Sequence, residues 1–365
     1  MATGCALQIH AGPRARRHIE RDGLRPQDIS VVPGAAGGPK GLILGALDRF
    51  VFGHWLVQSS QPVHLVGASI GAWRMATACL DDCVPAFEQL ERDYIAQDYV
   101  LEPGRRMPTA KHVSERFAQS LSSFYGGRVG QVLTHPRYRV HVVTSRGRHL
   151  LSREHRVGTP LGYLGAYLSN GVHRKALGAW LERVVFSSGP GEEALSLPFD
   201  GQDFRTSQFR LTEANFQPAL QASCSIPFML QAIHDIPGAP PGAYWDGGIT
   251  DYHLHLNYAA AHPQGLVLYP HFQKAVVPGW LDKAWRWRHG ATAFLDNTIV
   301  LAPDPEWVRG LPNGKLPDRN DFPRYGTDLA GRMKAWQGAV DASRRLADEF
   351  EDWLRTGDAS RVEPL

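Results

Sequence analysis

Ser69 lies at the centre of Gly67-Ala68-Ser69-Ile70-Gly71, just after the apolar run Val63-His64-Leu65-Val66 and just before the small-residue stretch Ala72 to Leu80. A serine on a sharp strand-to-helix turn projects its hydroxyl clear of the backbone. Glycines two positions to either side let strand and helix pass without a Cβ between them. A helix beginning at Ile70 also aims free amides at the space beside Ser69, where negative charge develops in acyl transfer. In a chain with 37 glycines the five-residue pattern arises readily by chance, so the strand-turn-helix context carries the reading against an ordinary turn.

Two other glycine-marked stretches hold residues that could act with Ser69. In Tyr244-Trp245-Asp246-Gly247-Gly248-Ile249 the two glycines leave Asp246 free to approach another side chain, although Asp-Gly alone is common turn chemistry. In Pro33-Gly34-Ala35-Ala36-Gly37-Gly38-Pro39-Lys40-Gly41 unhindered amides can converge on an anion, whether a phosphate or a transient oxyanion. The spacing fits neither GxxxxGK[ST] nor GxGxxG, because Lys40 is followed by Gly41 rather than Ser or Thr, which disfavours a nucleotide. Histidine offers a competing base, since His253, His255 and His262 follow Asp246. A Ser-His-Asp enzyme of the α/β-hydrolase kind, however, places acid and then histidine after the serine and has a histidine-glycine oxyanion loop, which is missing here. His253 and His255 alternate as on one strand face, as two metal ligands would, but no third ligand is evident.

The elements that must position these residues are legible in outline. Pro13 to Asp22 reads as a short basic helix closed by Gly23, and Asp28 to Val32 as a first buried strand feeding the glycine loop. Leu42 to Trp55 has helical spacing, with Leu44, Leu47, Phe50 and Val51 on one side. Residues 85–97 and 111–124 read as helices separated by a loop at Pro103-Gly104, and Arg139 to Ser145 alternates as a strand. From Gly158 to Gly201 the composition shifts to Gly, Ser and Pro around a helical run from Arg174 to Phe186, a candidate substrate-facing cap or a solvated connection. A helix starting near Pro218 carries Leu220 and Cys224 into Ala222 to Phe228. Gly265 to Tyr269 and Asn297 to Leu301 read as strands, and Leu329, Met333, Trp336, Val340, Leu346, Phe350 and Trp353 mark a long amphipathic helix docking on the sheet.

The 365 residues suffice for one large α/β domain, and 43% hydrophobic with 21% charged residues fits a soluble globular chain. A net charge of +3 without a long basic block argues against nucleic acid as a partner. No secretory leader and no run of about 20 apolar residues is seen, and four scattered cysteines match neither zinc nor disulfide frameworks. These features lead to the expectation of a cytoplasmic protein with free thiols. Cys79 and Cys83, four residues apart, are expected on one buried helix face. Trp280, Trp285 and Trp287 with Lys283, Arg286 and Arg288 form an aromatic and basic patch suited to peripheral contact with a membrane surface, against the plainer alternative of tryptophans packed on the core.

Glycine loop, GxSxG and DGG occur in the order of the patatin-like phospholipase family, which this chain resembles over about residues 28–270. The family carries GGGxRG, GxSxG and DG[GA]. Here Ala36 replaces the first glycine, Lys40 replaces the arginine, and Ala222 to Phe228 is similar to the segment preceding the family's aspartate. The resemblance implies an α/β fold, a three-layer α/β/α sandwich with a mostly parallel central sheet. It also implies a single domain over 1–365, with residues 28–270 as catalytic core and 271–365 as a C-terminal strand and helical extension. It implies a Ser69-Asp246 dyad acting on carboxylic esters of lipids without metal or cofactor, and an oxyanion hole from Gly37 and Gly38, with Ile70 as an addition. Lys40, Gly41, Gly67, Gly71, Gly247 and Gly248 support these motifs. Asp246 would need burial to raise its pKa, with Trp245 a candidate source. Non-phospholipid ester hydrolysis, or non-catalytic binding of a lipid or acyl chain, stand as alternatives.

Overall fold

A computed structural model describes residues 4–99, 108–191 and 195–365; the expected loop at Pro103-Gly104 lies outside them. The strands are β1 (Leu7–Ala11), β2 (Ile29–Gly34), β3 (Val63–Ala68), β4 (Tyr138–Gly147), β5 (Leu181–Ser187), β6 (Thr206–Arg210), β7 (Ile233–His234), β8 (Ala243–Asp246), β9 (Leu266–Pro270), β10 (Thr298–Pro303) and β11 (Val362–Pro364). They form one sheet in the order β11-β1-β10-β9-β2-β3-β4-β5-β6, with β8 pairing with β4 and β7 off that path. From β10 to β4 every neighbour is parallel. β1 against β10, β5 and β8 against β4, and β7 against β8 are antiparallel. The protein is a mixed α/β fold around a mostly parallel sheet.

Central strands bury both faces, as parallel sheets do, and strand alternation sorts their side chains between two cores. Val32, Leu65, Val140, Val142 and Leu268 face the larger one, Val31, Val66, Val143 and Val267 the other. Helices Ile70–Thr77, Cys83–Ile95, Ala110–Tyr125 and Glu213–Ser223 contribute to the larger core, joined by Leu346, Phe350 and Trp353 of helix Leu329–Thr356. That last helix packs against Gly45–Phe50 and β1. The opposite layer is built from shorter pieces, including Leu254, Leu256 and Tyr258.

Several expectations need correction. The first strand is β1, not the one at residue 29, and it enters the sheet beside β10 rather than β2. Leu42 to Trp55 is not one α-helix. It is a 3-10 turn at Gly38–Leu44, an α-helix at Gly45–Phe50 and a π turn at Val51–Trp55, although Leu44, Leu47 and Val51 are buried as expected. Helix Glu213–Ser223 starts five residues before Pro218, where Thr212 and Asn215 form a reciprocal capping pair. Residues Arg174–Phe186 are not a helical run. A 3-10 turn at Arg174–Ala179 leads into β5, while the α-helix lies earlier, at Gly158–Val172. Cys79 and Cys83 do not share a helix, because Ile70–Thr77 ends before Cys79 and Cys83 opens the next one. The four thiols are free.

Candidate active site

β3 ends at Ala68 and helix Ile70–Thr77 begins immediately, so Ser69 makes the whole turn, with φ 56 and ψ −130. This is backbone that a residue with a Cβ rarely adopts, and it persists because the surroundings fix it. A Cβ on Gly71 would fall 1.8 Å from the Gly34 carbonyl oxygen, so only glycine allows the helix to start against the end of β2. The Ser69 amide donates to Ser223 Oγ at 3.0 Å, and Ser223 Oγ donates to the Val143 carbonyl at 2.6 Å. Ser223 thus ties the turn to β4. In the last turn of the helix, Arg74 forms a buried two-point pair with Asp48, at 2.6 and 2.7 Å.

β8 delivers Asp246 to the same place through its antiparallel pairing with β4, where Thr144 stands opposite Asp246. Ser69 Oγ donates to Asp246 Oδ2 at 2.7 Å, and the Gly248 amide donates to Oδ1 at 2.7 Å. The Asp246 amide donates to Ser225 O at 2.9 Å, and Ser145 Oγ donates to the Asp246 carbonyl at 2.9 Å. The aspartate is therefore held at both backbone and side chain. Burial raises its pKa to about 6 from 3.8, against the opposing pull of the Ser69 hydroxyl, the Arg319 charge and the Gly248 amide. Trp245 is not what closes the site. It lies in the core with Tyr163 and Leu281, and the cavity wall near Asp246 is Ile226, Pro227, Ile249 and Tyr252.

Ser69 and Asp246 open into a cavity of about 230 Å³ that Ala36, Gly37 and Lys40 also line. Among the described residues the Gly37 and Gly38 amides have no hydrogen-bond acceptor. Gly38 has φ +56 and lies under the Arg319 guanidinium. Gly38, Gly41 and Ile70 are not in the cavity wall; Gly41 and Ile70 border a second, smaller pocket. Gly67 and Gly247 are close-approach glycines, since a Cβ at either would fall within 2.3 Å of backbone.

Asp318, Arg319 and Asn320 carry no signal in the sequence, and Lys283, read there only as part of a surface patch, joins them in completing the cavity. They come from two segments beyond the stretch of resemblance. Lys40 stacks over Phe272 and Lys283 over Tyr252. Among the described residues neither lysine nor Arg319 forms an ion pair, and Asp318 is engaged by Lys315 at 2.8 Å. Ser223 had one signal, the small-residue segment at 222–228.

The histidines stand apart from this arrangement. His253 accepts from the Val277 amide at 3.0 Å, and His255 bridges the Val276 carbonyl and Thr292. Their segment is not a strand. His262 lies against His64 in the first half of β3. Among the described residues no three His, Cys, Asp or Glu gather as a metal would require.

No family model matches this chain, and no curated protein matches it in sequence. Among solved structures, human GIVD cytosolic phospholipase A2 is similar at TM-score 0.40 and 11% identity, over 95% of this chain and 62% of its own. VipD from Legionella pneumophila is similar at TM-score 0.36 and 14% identity, over 94% of this chain and 70% of its own. The chain thus spans less than two thirds of the first, and at these scores neither likeness bears on the chemistry. No helix among the described residues is long and apolar enough to cross a membrane.

Proposed function

We propose that this protein is a serine acyl hydrolase that cleaves carboxylic esters of lipids, with Ser69 as nucleophile and Asp246 as its base. One observation carries the proposal: a 2.7 Å hydrogen bond from Ser69 Oγ to a buried carboxyl whose pKa is raised to about 6, at the wall of an open cavity. A carboxylate of ordinary acidity is a poor base for a serine hydroxyl, and raising its pKa toward the working pH improves it. Ser69 Oγ attacks the ester carbonyl while Asp246 Oδ2 takes its proton, and the oxyanion forms against the Gly37 and Gly38 amides. Collapse expels the alcohol, which leaves with the proton from Asp246. Water, deprotonated by the same carboxylate, then attacks the acyl-enzyme, releasing the carboxylic acid and restoring Ser69. No step calls for a metal or cofactor.

Lys40, Lys283 and Arg319 favour a substrate with an anionic group beside the ester, as in a phospholipid, over a neutral carboxylester. The test is labelling with a fluorophosphonate, followed by release of fatty acid from phosphatidylglycerol and hydrolysis of a soluble p-nitrophenyl ester. Wild type is expected to label and turn over, and folded Ser69→Ala to do neither. A folded wild type that does not label is a binder rather than a hydrolase.

A further inference from the structure

We propose that the outer face of helix Gly158–Val172, with the apolar residues beside it, is a docking surface for an anionic lipid bilayer. The surface exists independently of the chemistry; its use in delivering substrate rests on the lipid-ester reading above. The helix, GTPLGYLGAYLSNGV, contains no charged residue. Its inner face, Tyr163, Ala166 and Asn170, is buried. Its outer face is not polar, as a solvated helix face would be. Val157, Leu161, Leu164, Leu168 and Val172 follow one another at helical spacing and are 67, 54, 54, 60 and 85% exposed. A helix apolar all round belongs in an apolar environment on every side, and here one side has none.

The stripe is continuous with the cavity mouth. Tyr163 meets Phe228 edge-on at 5.9 Å, and Phe228, 60% exposed, follows Pro227 of the cavity wall. On the other flank Tyr167 stacks on Trp285, which meets the exposed Trp287. Trp280, itself in the cavity wall, belongs to a turn packed on the helix. The aromatic patch near residue 285 is therefore one edge of a larger apolar surface.

Charge selects the occupant. Arg153 and Arg156 precede the stripe, Lys175 follows it and Arg286 lies between the tryptophans, all exposed. Glu154 is the sole acid between residues 148 and 175, and it accepts from the Ala232 amide. Apolar residues flanked by cations match the acyl boundary and headgroups of an anionic leaflet. A second copy of this chain fits less well, because a two-fold contact would bring the basic rims together and cover the cavity mouth.

The test is flotation of the full chain with vesicles of phosphatidylcholine alone or with about 30% phosphatidylglycerol. Wild type is expected to float with the anionic vesicles, and the double variant Leu161→Glu/Leu168→Glu to partition at least about tenfold less. The milder Leu164→Ser/Leu168→Ser is expected to fall between them. Soluble-ester hydrolysis should stay within about twofold of wild type in both variants, which reports the fold separately. Failure of wild type to float, or unchanged flotation of both variants, overturns the proposal. So does a wild-type dimer in light scattering that the variants dissolve without any vesicle binding, since the face would then pair two copies. If wild type and Ser69→Ala float alike while no form cleaves any ester, the surface stands and the hydrolase assignment falls.

Discussion

Replacing Asp246 by Asn should abolish turnover and, at the same time, stabilise the protein at alkaline pH. The carboxyl is raised from 3.8 to about 6 because burial penalises its charged form, so the folded state binds a proton more tightly than the unfolded chain. Stability from this group is greatest below pH 3.8 and declines as pH rises through about 6. At 1.36 kcal/mol per pH unit, the deficit by pH 8 is about 3 kcal/mol. Asparagine removes the charge and keeps an acceptor for the Gly248 amide, but its NH2 group replaces the oxygen that accepts from Ser69. Reversing that bond offsets up to about 1 kcal/mol, leaving a net gain of about 2 kcal/mol at pH 8 and none at pH 4, where the charge deficit is only about 0.5 kcal/mol. Urea unfolding of both proteins at the two pH values measures the difference, and a p-nitrophenyl ester assay measures activity. Wild-type kcat/KM should rise with pH through about 6, while the variant stays inactive throughout. A variant no more stable than wild type at pH 8, or a wild-type rate flat between pH 5 and 8, would refute a buried carboxylate base.

Gly38→Ala forces a Cβ onto φ +56 and to 3.2 Å from Arg319 Nε; kcat should fall about a hundredfold with a modest change in KM, and an unchanged kcat in a folded variant would move the oxyanion hole to the amides after Ser69. Arg319→Met removes a charge that holds the Asp246 pKa down, so the midpoint of the pH-rate rise should move upward; an unmoved midpoint would place Arg319 outside electrostatic reach of the base. Ser223→Ala leaves the Ser69 amide without its acceptor; we expect about 1–3 kcal/mol of destabilisation in urea together with a lower kcat, and retention of both values would deny Ser223 a part in shaping the turn.

Local chemistry accounts for what the sequence determined. The turn at Ser69 is legible because glycine at 67 and 71 is a steric requirement with few substitutes, and the same holds for Asp246 followed by Gly247 and Gly248. β2, β3 and β9 are legible because a strand buried on both faces reads as an apolar run, and β4 through its alternation of polar and apolar residues. β5 escaped the same reading. Its seven residues are all buried, yet two of them are Glu182 and Arg183, and the Arg183 charge is balanced by Asp251 and Asp203. No local pattern announces a charge whose partners arrive from 20 and 68 residues away. Tertiary structure alone also decided the cation set of the cavity. Lys40 sits in a recognisable loop, but Lys283 reads only as part of a surface patch and Arg319 lies in a segment without a pattern, and chain packing brings both to Ser69. The outer face of Gly158–Val172 follows the same logic, because whether an apolar stripe is core or surface depends on what covers it, and in this chain its far side is left open.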